Sequence, residues 1–411
     1  MNSHTPSWAR TALWWSVYPL GACGAPIRKL DEPGIHHRLG RLESWLEYIL
    51  ELGCNGLALG PIWASTTHGY DVTDHLRIDP RLGDDSDFDS LVAACHSRGI
   101  RVLVDGVFNH VSRDHDDVVA VLRDGLDSPS ARLFRLDEND PQGLSRFEGH
   151  DSLVELDHSH EEVADYVVQV MNHWLERGAD GWRLDAAYRV PLDFWAKVLS
   201  RVRASHPDFL SVAEVLHGDY PAMVDHGGFG SITQYELWKA IWSSLKDRNP
   251  HELQWTLTRH GGTRGHGIPW TFVSNHDVTR IATQVGSEAA AVATEIIMTL
   301  PGMPAIYYGD ELGFTGLKEE GWSGDDEIRP VLTDHPGGWD EAGEYTLNST
   351  KRAIHVRRTH PWIVDGEMEV TGCTQDQISW RVWSTTGDWL EVHVTMDEHP
   401  RLYMTSSGVP R

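Results

Sequence analysis

Cysteine is scarce, and the little there is carries no pattern. Cys23, Cys54, Cys95 and Cys373 form no Cys-x-x-Cys pair and have no histidine at metal-ligand spacing, which argues against a zinc ribbon or a disulfide framework. Cys54 and Cys95 sit in apolar segments and read as small buried hydrophobes. All four are expected to be reduced thiols of a cytoplasmic protein. No run of 18 apolar residues occurs, so no membrane span is expected. Cationic side chains are also short: 35 Lys and Arg face 61 Asp and Glu, a formal charge of −26. That balance repels phosphate backbones and anionic lipid, so neither nucleic acid nor a membrane surface is an expected partner. No internal repeat or low-complexity tract breaks the chain.

One N-terminal stretch imitates a lipoprotein signal: Arg10, the run Thr11–Leu20, then Gly21-Ala22-Cys23. The competing reading is a strand, Trp15-Ser16-Val17-Tyr18, ending at Pro19. The strand is preferred, because cleavage before Cys23 would delete it and open the sheet that it completes.

What is abundant is tryptophan, 18 residues, read mostly as core and partly as platforms for the flat faces of sugars. Short apolar runs alternate with longer amphipathic stretches, the mark of βαβ units around a parallel sheet. Eight strands are predicted: Ser16–Tyr18, Gly56–Gly60, Val102–Val104, Gly181–Leu184, Phe209–Ala213, Ile232–Tyr235, Thr271–Ser274 and Ala305–Tyr308. Helical spacing is seen over His37–Leu52 and Glu161–Arg177. Residues 109–160 are polar, rich in Gly, Pro and Asp, and show no helix–strand rhythm, so they read as an insertion overhanging the mouth of a barrel. Beyond Pro361, period-two alternation at Met368–Val370, Ile378–Trp383 and Leu390–Val394 reads as antiparallel strands. The expected architecture is α/β: a (β/α)₈ barrel from residues 1–108 and 161–361, a loop-rich insertion (109–160) after strand 3, and a small C-terminal antiparallel β-domain (362–411).

Acidic residues close four of the apolar runs: Asp105 after Val104, Asp185 after Leu184, Glu214 after Ala213, and Asp277 after Ser274-Asn275-His276. Parallel barrel strands all point one way, so these carboxylates converge at the C-terminal mouth. Asp185 and Glu214 end consecutive strands, which lie about 4.8 Å apart. A carboxyl separation of about 5–5.5 Å is the one that retaining glycosidases use. Arg183 shares a strand face with Asp185, so a guanidinium is expected to keep that carboxylate ionised. Glu214 follows Ser211-Val212-Ala213, an apolar run expected to desolvate it toward the pKa of a general acid.

Asp105-Gly106-Val107-Phe108-Asn109-His110, Gly181-Trp182-Arg183-Leu184-Asp185, Ala213-Glu214-Val215 and Phe272-Val273-Ser274-Asn275-His276-Asp277 resemble, in order, the four signature regions of the α-amylase family, glycoside hydrolase family 13. Gly69–Asp74 and Tyr307–Glu311 are similar to its flanking motifs. The resemblance implies Asp185 as nucleophile, Glu214 as acid/base and Asp277 as the third catalytic carboxylate. It implies Tyr70, Asp71, His110, Arg183 and His276 as substrate-binding residues, with Asp105 and Asn109 structural near the site. No cofactor or catalytic metal is implied; calcium at Asn109 is an option for stability rather than activity. The stretch Asp180–Ala187 and the run Glu214–Asp219 are similar to cyclomaltodextrinases and neopullulanases, and a compact relative such as a cyclic maltosyl-maltose hydrolase is the nearest specific resemblance. Leu153-Val154-Glu155-Leu156-Asp157 departs from the family's usual Pro-Asp-Leu-Asn segment. The expected substrate is a malto-oligosaccharide, linear or cyclic, cleaved through a covalent glycosyl-enzyme; a transglycosylase is the alternative.

Two rival readings exist. A metal-dependent barrel hydrolase would draw on His68, His110, His276, Asp71 and Asp105, but no strand carries a His-x-His pair. A non-catalytic amylase-like binding protein would be expected to have lost one of the three carboxylates. In the C-terminal strands, Trp380 and Val382 alternate with Arg381 and Trp383, which leaves Trp383 on the side away from the barrel. A symmetric homodimer, or the tail Leu402–Arg411, is expected to cover it.

Overall fold

The computed structural model describes residues 4–28, 32–321 and 323–407. Eight parallel strands close into a barrel: β1 (Trp14–Val17), β2 (Gly56–Leu59), β3 (Arg101–Gly106), β4 (Gly181–Leu184), β5 (Leu210–Ala213), β6 (Ser231–Thr233), β7 (Ile268–Phe272) and β8 (Met303–Tyr307). Their order around the barrel is their order in the chain, with β8 returning to β1. Alternation along β1 sends Trp14 inward, where it meets Trp270 at 5.3 Å, and Trp15 outward onto Trp45 at 5.9 Å. Gly56 stands opposite Trp14 in register, and a Cβ there would lie 2.4 Å from the indole. Only glycine fits beside so large an inward ring. Below this layer the 3₁₀ turn Ser7–Thr11 plugs the barrel floor with the buried Ala9.

The predicted strands all lie in the barrel, with shifted ends. The seventh starts at Ile268 rather than Thr271, and the sixth stops at Thr233 because Tyr235 opens a helix, Tyr235–Asp247. His37–Leu52 is not one helix. The backbone N–H groups of Arg38 and Leu39 donate to Leu82 O. Two short helices follow, Gly40–Glu43 and Leu46–Leu52. The Ser44 hydroxyl, which donates to Arg41 O and Asp334 O, marks the break. The apolar stripe of Leu39, Leu42, Trp45, Leu46 and Ile49 is buried all the same.

Residues 109–160 contain more regular structure than their composition suggests. Strand His110–Ser112 pairs antiparallel with Leu153–Glu155, and a helix runs over Asp116–Asp124. That helix buries Val118 and Val121 and leaves Val119 and Leu122 exposed; its apolar residues are at helical spacing, over a span of only nine residues.

The C-terminal sheet adds a fourth strand to the three alternating segments: β9 (Glu367–Cys373), β10 (Gln377–Trp383), β11 (Trp389–Thr395) and β12 (Arg401–Ser406). One face, with Ile378, Trp380, Val382, Leu390, Val392 and Val394, is buried in a cluster with helix residues Leu237, Leu257 and Ile296. Trp383 faces the other way and is half-buried opposite Trp389, whose ring carries the Arg381 guanidinium at 5.3 Å. Of the tail expected to cover Trp383, Arg401–Ser406 extends the sheet as an edge strand, and residues 408–411 lie outside the described residues. Among the described residues no helix is long and apolar enough to cross a membrane.

Candidate active site

Strand register builds the site. Asp105 on β3 stands opposite Arg183 on β4, and Leu184 opposite Ala213 on β5, so Asp185 and Glu214 emerge side by side. One guanidinium serves all three acids. Arg183 Nη1 lies 2.9 Å from Asp105 Oδ2 and 2.9 Å from Asp185 Oδ1, while Nη2 lies 2.5 Å from Glu214 Oε1. Directly after Asp185, Ala186 adopts a positive φ of 41°, and its N–H donates to Glu214 Oε2 at 2.8 Å. The Tyr235 hydroxyl donates to Glu214 Oε1 (2.9 Å) and itself accepts from Asn275 Nδ2 (2.7 Å). The apolar surroundings expected for Glu214 are therefore replaced by donors from Arg183, Ala186 and Tyr235. The strand interior is apolar, but the turn beyond it is not.

Asp277 follows β7 and lies in the same cleft. Arg329 Nη2 reaches its Oδ1 at 3.1 Å, and His276 Nε2 its Oδ2 at 3.0 Å. The His276 ring is stacked between Tyr18 and Tyr70, at 6.1 and 5.4 Å with planes within 11° and 6°. Tyr70 contacts His276 Nε2 through its hydroxyl, which donates to Asp105 Oδ2 at 3.0 Å. This links the Asp277 end of the cleft to the Arg183 cluster.

Electrostatics separate the carboxylates. Burial pushes Asp185 well above the ordinary carboxylate value; Arg183 opposes this, while Glu214, Asp105 and Asp277 add to it. Burial likewise raises Asp105 against the pull of Arg183 and His276. At Asp277 burial also acts upward, but His276 and Arg329 outweigh it and hold the group well below the usual range. Arg183 itself stays protonated, since the surrounding acids overcome its desolvation.

Two of the residues singled out from the sequence make local contacts. Asp71 is buried and accepts from Thr67 Oγ1 at 2.6 Å, so it braces the turn behind Tyr70. His110 is spent locally, its ring nitrogens 2.5 Å from Asn109 Oδ1 and 2.8 Å from Tyr70 O. The other end of the Asn109 amide donates to Asp185 Oδ2 at 3.3 Å. Among the described residues no trio of acidic or histidine ligands gathers beside Asn109. Nor do His68, His110, His276, Asp71 and Asp105 gather as metal ligands. The compact group among the described residues is His37, Asp84 and Asp87, where Asp84 and Asp87 form the capping box of helix Asp85–Ser97.

Five side chains of the site escape sequence reasoning: Tyr18, Arg329, Tyr235, Tyr188 and Glu148. Tyr188 lies in the electrostatic field of both Glu214 and Asp185, and its hydroxyl donates to Glu148 Oε1 at 3.3 Å. Glu148 comes from the insertion, at a positive φ of 49°, so this contact crosses the mouth from the insertion to the barrel. Its neighbour Phe147 packs on His110, centroids 4.5 Å apart.

The model of the alpha amylase catalytic domain matches residues 39–368. The chain belongs to the alpha-amylase family. Neopullulanase 2 of Thermoactinomyces vulgaris is 31% identical over 98% of this chain and 71% of its own length. A cyclomaltodextrinase of Geobacillus thermopakistaniensis is 27% identical over 93% of this chain and 68% of its own. Among solved structures, the cyclic α-maltosyl-(1→6)-maltose hydrolase of Arthrobacter globiformis superposes with a TM-score of 0.84, covering 98% of this chain and 99% of that one. At 23% identity this likeness speaks for the fold. The family places the protein among glycoside hydrolases of α-glucans that retain anomeric configuration.

Proposed function

We propose that the chain cleaves α-glucosidic bonds of malto-oligosaccharides by double displacement, with Asp185 as nucleophile, Glu214 as acid/base and Asp277 as the third carboxylate. The observation that carries this reading is the single Arg183 guanidinium joined to both Asp185 and Glu214 on adjacent strands. Asp185 attacks the anomeric carbon while Glu214 delivers its proton to the departing glycosidic oxygen, giving a glycosyl ester and a free sugar. A water then loses its proton to Glu214 and attacks the same carbon, which breaks the ester and restores Asp185. Arg183 stabilises the carboxylate as it leaves. Asp277, held ionised by Arg329 and His276, grips sugar hydroxyls and faces the positive charge of the transition state. Tyr70 provides the stacking platform, and His110 acts by holding the backbone of Tyr70. A sugar hydroxyl in place of water gives transglycosylation.

Relatives named cyclomaltodextrinase and neopullulanase, and the full-length likeness to a cyclic maltosyl-maltose hydrolase, support a short or cyclic substrate. A relative named intracellular maltogenic amylase, from Bacillus subtilis, supports a cytoplasmic location. The half-buried Trp383 and Trp389 support a symmetric homodimer through the outer face of the C-terminal sheet. Proton NMR of the first products from maltotetraose tests the chemistry: two displacements give the α-anomer first, and a β-anomer first refutes the assignment.

A further inference from the structure

Among the described residues Trp255 is the one tryptophan that stands out into solvent, 57% exposed, and it joins none of the apolar clusters. Helix His251–Gly261 turns Leu253, Thr256, Leu257 and His260 inward, which leaves Trp255 and Arg259, one turn apart, on the outer face. The Arg259 guanidinium lies over the indole at 4.6 Å. It also pairs with Glu236 Oε2 at 2.8 Å and donates to Gly218 O at 3.0 Å. Gly218 belongs to the loop that leaves Glu214, and its own N–H donates to Glu236 Oε1.

Beside this clasp is a cavity of about 320 Å³ whose walls include Asp219, Gln234, Glu236, Thr256, Arg259 and His260. That volume is at the lower end of small-ligand sites, roughly 300–1,000 Å³. Gln234, 97% buried, makes only long side-chain contacts there. His260 Nε2 lies 2.7 Å from Pro301 O, and burial pushes the imidazole down to about 4, so the ring is neutral and its proton sits on Nε2. Nδ1 is then an acceptor. The Gln234 amide has Ile232 O at 3.5 Å from one end and His260 Nδ1 at 3.4 Å from the other. Whichever way the amide is turned, its oxygen faces another acceptor. A ligand hydroxyl that donates into this pair resolves the mismatch.

We infer that Trp255 and this cavity form a second binding site for an α-glucan segment, outside the catalytic cleft and across the Val215–Asp219 loop from it. The inference rests on the malto-oligosaccharide reading of the cleft. One glucose ring stacks on the free face of Trp255, and the next sends hydroxyls to Glu236, Asp219 and Gln234. An uncharged polyol suits a wall with two carboxylates and one guanidinium on a chain of charge −26, which disfavours anions.

The test uses the full chain as Glu214→Gln, labelled at its indole nitrogens and titrated with maltoheptaose, while the wild-type chain is assayed separately for hydrolysis of that sugar. The Trp255 N–H resonance is identified by its loss in Trp255→Phe. It is expected to shift saturably, and Trp255→Ser is expected to raise KM for maltoheptaose about two- to tenfold, with Trp255→Phe recovering most of the loss. A Trp255 resonance that stays fixed to about 10 mM sugar, while the wild-type chain hydrolyses maltoheptaose, overturns the second site alone. A wild-type chain that neither binds nor cleaves the sugar overturns the reading of the cleft and this site with it.

Discussion

Replacing Arg183 by Met tests the electrostatic core of the site. The change removes the one cation that contacts Asp105, Asp185 and Glu214, which are 1%, 8% and 6% exposed. Breaking a buried ion pair by deleting one partner costs about 3–5 kcal/mol, and here three acids lose the same partner. Against a typical stability of about 5–15 kcal/mol, the variant remains foldable but is strongly weakened. The loss has a definite pH dependence. Burial already raises the folded-state pKa of Asp185 and Asp105, and Arg183 is the main influence lowering both. Without it these values rise further above the unfolded value of about 4. Between the unfolded and folded pKa values the native state binds more protons than the unfolded state, so stability falls as pH rises through that window, by about 1.4 kcal/mol per unit for each group. Urea unfolding followed by tryptophan fluorescence at about pH 5 and pH 8 should therefore show a larger deficit at the higher pH. Adding Asp105→Asn should recover part of it, since one buried charge is gone. A variant as stable as the parent at pH 8, or a deficit equal at both pH values, refutes this account.

Glycine in place of Asp185 or Glu214 should lower turnover by several orders of magnitude with little change in melting temperature, and azide should restore part of the rate by standing in for the missing carboxylate; near-normal activity in either variant rejects its role. EDTA-treated protein should keep both its activity and its melting temperature, because among the described residues no acidic or histidine trio stands beside Asn109; a large drop reversed by calcium contradicts that expectation. Trp380→Ala should cost about 3–5 kcal/mol by emptying the seam between the C-terminal sheet and the barrel helices, measured by denaturant midpoint. Light scattering should give twice 46.2 kDa, and a mass near a single chain rejects the dimer.

The barrel was legible because closed parallel sheets concentrate apolar side chains in short runs, and each run here ends in a recognisable turn. Asp105, Asp185 and Glu214 stood out for the same reason: an acid after an apolar run is at the strand's mouth, and strand order makes it a neighbour of the next. Arg329 offered no such cue. It reaches Asp277 from an irregular segment 52 residues downstream, where no periodicity ties position to place. Tyr235 was read as the end of a strand, yet it begins a helix, and that turn swings its hydroxyl onto Glu214. Asp71 shows the converse. Its motif was recognisable, but the direction of a loop side chain depends on hydrogen bonds such as that from Thr67, which spacing alone does not encode.

Ala186 acts as a ruler. Its N–H, one peptide beyond Asp185, holds the carboxylate of Glu214, and with the Arg183 bridge between the same two acids it helps to set the gap between the reacting groups. A non-glycine residue at positive φ costs about 1–3 kcal/mol, which the contacts around Asp185 and Glu214 offset. A change in the length or sequence of a loop at the mouth would alter which sugar enters while leaving that spacing in place.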